Sequence, residues 1–163
     1  MDRIAPKWVG NVAAVWFLAG FLAGRSGRGA PGGLRRGVVC LIAGNVAYYG
    51  LRLAVDPISL ADLVPIPALW LCVGIVCGAV AGRLGELSYR YPHAWGIPAG
   101  VFAGEAVVVI VLRQRFVQAA LEVAAAALCL AMARARWPRA AVLAAGTLPF
   151  VGWLAGLYRI VLR

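Results

Sequence analysis

The 163 residues are 63% hydrophobic and 13% charged, with a mean hydropathy of +0.86, whereas soluble domains carry about 45–50% apolar and about 25% charged residues. A membrane-crossing helix takes about 20 mostly apolar residues, so six would use roughly 120 and leave about 43 for tails and loops, which excludes a second domain and any sizeable soluble catalytic or nucleic-acid-binding module. The net charge of +10 falls between apolar runs, where cytoplasmic loops and lipid headgroups account for it and nucleic acid is not required.

Apolar runs at about residues 8–24, 37–55, 63–82, 95–112, 116–133 and 140–162 predict six transmembrane helices in a single all-α domain, a polytopic bundle with short loops. Arg3 and Lys7 precede the first run. No soluble domain follows it, so it reads as a retained span and not as a cleaved signal peptide. The breaks between runs are basic or carry proline: RSGRGAPGGLRR (25–36), Asp56-Pro57, RLGELSYRYPH (83–93), RQR (113–115) and RARWPR (134–139). Pro65, Pro67 and Pro98 fall in first helical turns, where a missing N–H is tolerated, while Pro149 lies inside the sixth run and predicts a kink. Trp8, Trp70, Trp95 and Trp137 sit near span ends, as an interfacial aromatic belt expects, and Trp16 and Trp153 lie deep.

Charge orients the bundle. Fifteen of the 16 basic residues are arginine, which together with the alanine, glycine and valine excess reads as the codon bias of a GC-rich bacterial genome. With six spans, the tails and loops two and four share seven basic residues, and loops one, three and five share nine. Arg52 and Arg159 fall within spans; without them the ratio is five to nine. The positive-inside rule then places both tails outside the cytoplasm of a bacterial plasma membrane.

Small residues recur at helical spacing. Gly74, Gly78 and Gly82 line one face of the third span, and Gly96, Gly100 and Gly104 one face of the fourth. Gly20/Gly24, Gly152/Gly156 and Ala120, Ala124, Ala127 and Ala131 repeat the pattern in spans one, six and five. Lipid provides no hydrophobic drive for helix association, so such ridges serve close backbone approach. Packing within the bundle is the main expectation; a contact with a membrane protein partner or a second copy is the other. The glycine rows in spans three and four also leave room for a three-plus-three inverted repeat.

Ionisable groups inside a membrane cost about 2.5–3.5 kcal/mol at helix centre and mark function or pairing. On either side of the RQR hairpin, Glu105 lies seven residues before Leu112 and Glu122 six after Phe116, about 9–10 Å deep in one leaflet. Arg52 and Arg159 approach the same leaflet, Asn45, Tyr48 and Arg52 form a stripe on span two with Tyr49 beside it, and Asn11 enters on span one. The opposite half is mostly Gly, Ala, Val and Leu. Two readings follow: a polar cavity for a small polar solute or ion, or Glu–Arg pairs that staple the bundle.

Enzyme chemistry lacks its residues. His93 is the single histidine, Cys40, Cys72, Cys77 and Cys129 lie within apolar runs without zinc spacing, and Ser26, Ser59 and Ser88 have no adjacent base. No nucleophile-elbow, metalloprotease, dinucleotide or Walker pattern occurs. No cofactor or metal is expected.

NVAYYG (45–50), GAVAG followed by Arg83, and AGEAVVV (103–109) resemble segments of an uncharacterised actinobacterial membrane family designated domain of unknown function 6518, over residues 35–136. The family's Gly-Pro in the third span stands here as Cys77-Gly78. The resemblance implies a polytopic membrane protein without assigned activity and draws attention to Gly104-Glu105 and Tyr48-Tyr49. The role expected from the residues is a non-enzymatic small-solute binding or transport component; the alternative is a structural or accessory protein that packs against a partner through its Gly/Ala ridges.

Overall fold

A computed structural model describes residues 13–28, 30–55, 65–113, 115–133 and 138–147. Among these every regular element is helical: α1 (Ala13–Arg25), α2 (Gly33–Val55), α3 (Pro65–Leu87), a 3-10 helix (Pro92–Trp95), α4 (Gly96–Arg113) and α5 (Phe116–Met132), with residues 138–147 helical as well. Three stretches are long and apolar enough to cross a membrane: Gly33–Ala54, Ala68–Leu87 and Pro92–Val111, of 22, 20 and 20 residues. At 1.5 Å per residue they span about 30–33 Å, the thickness of a hydrocarbon core. Their apolar side chains are largely uncovered: Val46, Leu51, Val76 and Val111 are all more than 60% exposed, an arrangement costly in water and natural in lipid. The tails, Trp8, Asn11, Asp56-Pro57, Trp137, Pro149, Gly152, Trp153, Gly156 and Arg159 lie outside the described residues.

Two helices run past the ends that hydropathy suggests. The second span was expected from residue 37, yet α2 starts at Gly33; the third was expected to stop at 82, yet α3 continues to Leu87. Backbone hydrogen bonding does not stop where apolar side chains do, and arginine keeps an aliphatic stem against the helix while its head reaches water. Proline starts α3, where the first N–H groups have no intrahelical acceptor. Before α2, Gly32 takes a φ of +102° that strains any other residue.

The described residues form two compact units, one containing Trp16–Tyr89, the other containing Ala13–Val15 and the residues from Arg90 onward. In the first, glycines set the helix spacing. A Cβ on Gly82 would lie 2.9 Å from the Gly37 Cα and collide with the Gly33 carbonyl, and one on Gly78 would lie 2.8 Å from the Gly37 carbonyl oxygen. Gly24 of α1 meets the Gly82 carbonyl in the same way, and Gly20 faces Ala81. Gly74 lies against the Asn45 amide. The third-span glycine row therefore faces α2 and α1 within the chain. In the second unit, Gly96 and Gly100 of α4 lie against Ala140 and Ala144, and Gly104 is buried.

The alanine row of α5 behaves differently from the glycine rows. Ala120, Ala124, Ala127 and Ala131 are all exposed, and the buried face of α5 is Gln118, Ala119, Glu122, Ala126 and Cys129. Burying Glu122 rotates the helix so that the alanines point outward. The expected packing of that ridge within the bundle is thus corrected.

Candidate functional site

The carboxylates singled out in the sequence stand on α4 and α5, the antiparallel pair of the second unit. Glu105 accepts hydrogen bonds from the backbone N–H groups of Ala13 (3.0 Å) and Ala14 (2.6 Å). These are first-turn donors without intrahelical acceptors, and the positive end of the helix dipole favours an anion there. These peptide donors were not foreseen from the sequence, which looked to arginine; Arg159, one of the expected arginines, lies outside the described residues.

Glu122 is 3% exposed and Gln118, one turn earlier on α5, is 6% exposed. The Gln118 amide donates to Glu122 Oε1 at 2.7 Å. Glu122 Oε2 and Gln118 Oε1 are buried and have no hydrogen-bond partner among the described residues. The pair thus offers two acceptors and no donor to fill them, an arrangement that costs free energy while it lasts. Glu105 acts electrostatically on Glu122 from the neighbouring helix. Gln118 escaped the sequence reading, which searched for charges; its signal was the i, i+4 spacing to Glu122 inside an apolar run.

The remaining sequence candidates lie on α2 in the first unit. Asn45 donates to the Leu41 carbonyl at 3.0 Å, a local back-bond within α2. Tyr48 and Tyr49 are half-buried with rings in an edge-on arrangement, centroids 5.1 Å apart. Arg52 is exposed.

A second polar group gathers at the opposite end of α2, built from residues of the basic breaks 25–36 and 83–93. Arg25 Nη1 donates to Ser88 Oγ at 2.7 Å, and its guanidinium lies 4.4 Å over the Tyr89 ring. Ser88, 1% exposed, donates to the Gly85 carbonyl at 2.6 Å. Glu86 accepts from the Gly33 N–H at 2.7 Å, capping α2, and pairs with Arg83. Arg36 donates to the carbonyls of Gly24 (3.2 Å), Ala30 (2.9 Å) and Pro31 (3.3 Å) and so holds the α1–α2 turn closed. These residues were assigned to loops by hydropathy, which cannot see that a loop and two helix ends converge. Beside them an open groove of about 540 Å³ is lined by Ser26, Pro31, Arg35, Arg36, Val39 and Cys40.

No group of three or more metal-ligating side chains occurs among the described residues. The four cysteines are free thiols, with Cys129 buried and Cys72 exposed. No family model matches the chain, and neither the curated proteins nor the solved structures contain a match to it.

Proposed function

We propose that the chain is a polytopic membrane protein of about six spans whose buried polar site on α4 and α5 serves a small-solute binding or transport component. One observation carries the reading: Glu122 and Gln118 are buried in an apolar helix with one acceptor oxygen each left unpartnered among the described residues. Membrane proteins retain such groups where a proton, a small cation or an N–H donor completes them. The site therefore selects hydrogen-bond donors and cations over anions.

The test is thermal unfolding of detergent-purified protein against ammonium, small primary amines, sodium and potassium chlorides, with choline chloride as the ionic-strength control. At least one donor or cation is expected to raise the midpoint, and Glu122→Gln to abolish that rise while folding normally. If Glu122→Gln and Glu105→Gln both fold and leave every response unchanged, the binding role is wrong.

The outward alanine row of α5 favours a second reading, association with another membrane helix through close backbone approach. In a variant lacking the native cysteines, Ala124→Cys should then crosslink two copies in the membrane, and Val123→Cys on the adjacent exposed position should crosslink less. Equal crosslinking at both sites would remove this reading.

A further inference from the structure

The groove beside the α1–α2 turn has the chemistry of a lipid seat. Ser26, Arg35 and Arg36 supply its polar lining, and Val39 and Cys40 its apolar lining. Val39 and Cys40 follow Arg35 and Arg36 by four residues, so they lie about 6 Å further along the same face of α2. The surface therefore passes from cationic to apolar over one helical turn, as a phospholipid passes from phosphate to acyl chain. The volume of about 540 Å³ falls within the range of about 300–1,000 Å³ typical of small-ligand sites.

Charge favours an anion here. Arg25, Arg28, Arg35, Arg36 and Arg83 gather at this end of the first unit, with Glu86 the one acid among the described residues there. Glu86 is already occupied by the Gly33 N–H and Arg83. Arg36 is committed to three backbone carbonyls, which shape the turn. Arg35 is exposed and forms no ion pair among the described residues, which leaves its whole guanidinium for a phosphate. From Val39 in the groove the face continues to Val46, and the two are 58% and 62% exposed, an apolar track along which an acyl chain can lie.

We infer that this groove binds an anionic phospholipid, with the phosphate on Arg35 and an acyl chain along Val39 and Val46. The inference rests on the membrane reading of α2 and not on the solute site.

Native mass spectrometry of the full chain, exchanged into micelles carrying dioleoyl phosphatidylglycerol or dioleoyl phosphatidylcholine, tests it. Phosphatidylglycerol is expected to remain bound in preference to phosphatidylcholine. Arg35→Gln should weaken that preference about fivefold, the factor associated with one basic residue near a membrane surface, and Arg35→Glu should abolish it. Arg90→Gln, an exposed arginine outside the groove, should leave it unchanged. Equal retention of both lipids, or equal losses in the Arg35 and Arg90 variants, overturns the proposal. Competition by free glycerol phosphate at the lipid's own concentration overturns the lipid as the source of the phosphate. A chain that stays dispersed without detergent overturns the membrane reading itself, so the two failures are distinguishable.

Discussion

Gly82→Ala is expected to destabilise the protein by about 2 kcal/mol, although it adds one methyl group to a helix. Alanine is the better helix former by about 1 kcal/mol, so propensity alone predicts a gain. At this position, however, the new methyl meets the backbone of α2: the Gly33 carbonyl and the Gly37 Cα, at 2.9 Å. Overpacking costs about 1–3 kcal/mol where side chains can shift, and a peptide group cannot rotate away, so the upper end applies. Gly82→Leu should cost more and separate α2 from α3. Gly50→Ala is the matched control, because nothing lies within 4 Å of a Cβ there; it should be neutral or stabilise by up to about 1 kcal/mol. Unfolding midpoints in mixed micelles of mild detergent and dodecyl sulfate measure both. Equal effects at the two positions would mean that α2 and α3 do not meet through Gly82.

Glu105→Ala should cost about 2 kcal/mol, the second-largest effect. It removes the acceptor for the Ala13 and Ala14 N–H groups, and loss of a capping acceptor costs about 0.5–2 kcal/mol, with bonds to a charged group at the high end. Glu105→Gln keeps a carbonyl acceptor but loses the charge that the helix dipole favours, so it should fall between wild type and alanine. The same unfolding titration reads the series, and hydrogen exchange at Ala13 and Ala14 should rise in the alanine variant. A change below about 0.5 kcal/mol in Glu105→Ala, the usual range of an unconnected surface position, would show that the carboxylate does not hold this end of α1.

The helices themselves were legible from hydropathy because lipid-facing segments are apolar along their whole length, and α4 and α5 begin or end within one residue of the expected bounds. Legibility failed at the polar ends. Arg35, Arg36, Arg83 and Glu86 looked like loop residues because a hydropathy window counts charge, while helix continuation depends on backbone bonds that arginine does not disturb. The candidate site was half legible: Glu105 and Glu122 stand out as acids in apolar runs, whereas Gln118 is uncharged and passed unnoticed.

By itself, the chain's composition and residue order determined the helical class, the apolar stretches suited to a bilayer, the small-residue rows and the two acids that interrupt them, since each depends on residue type and spacing along one segment. Only the tertiary structure decided what each of these meets. Identical small-xxx-small spacing places Gly78 and Gly82 against α2 but turns the alanines of α5 outward. Two acids at matched positions find different surroundings, Glu105 at peptide N–H groups and Glu122 beside Gln118 in a closed face. The physical reason is that spacing specifies which side chains share a face, while the neighbour opposite that face comes from a distant part of the chain and leaves no trace in local periodicity.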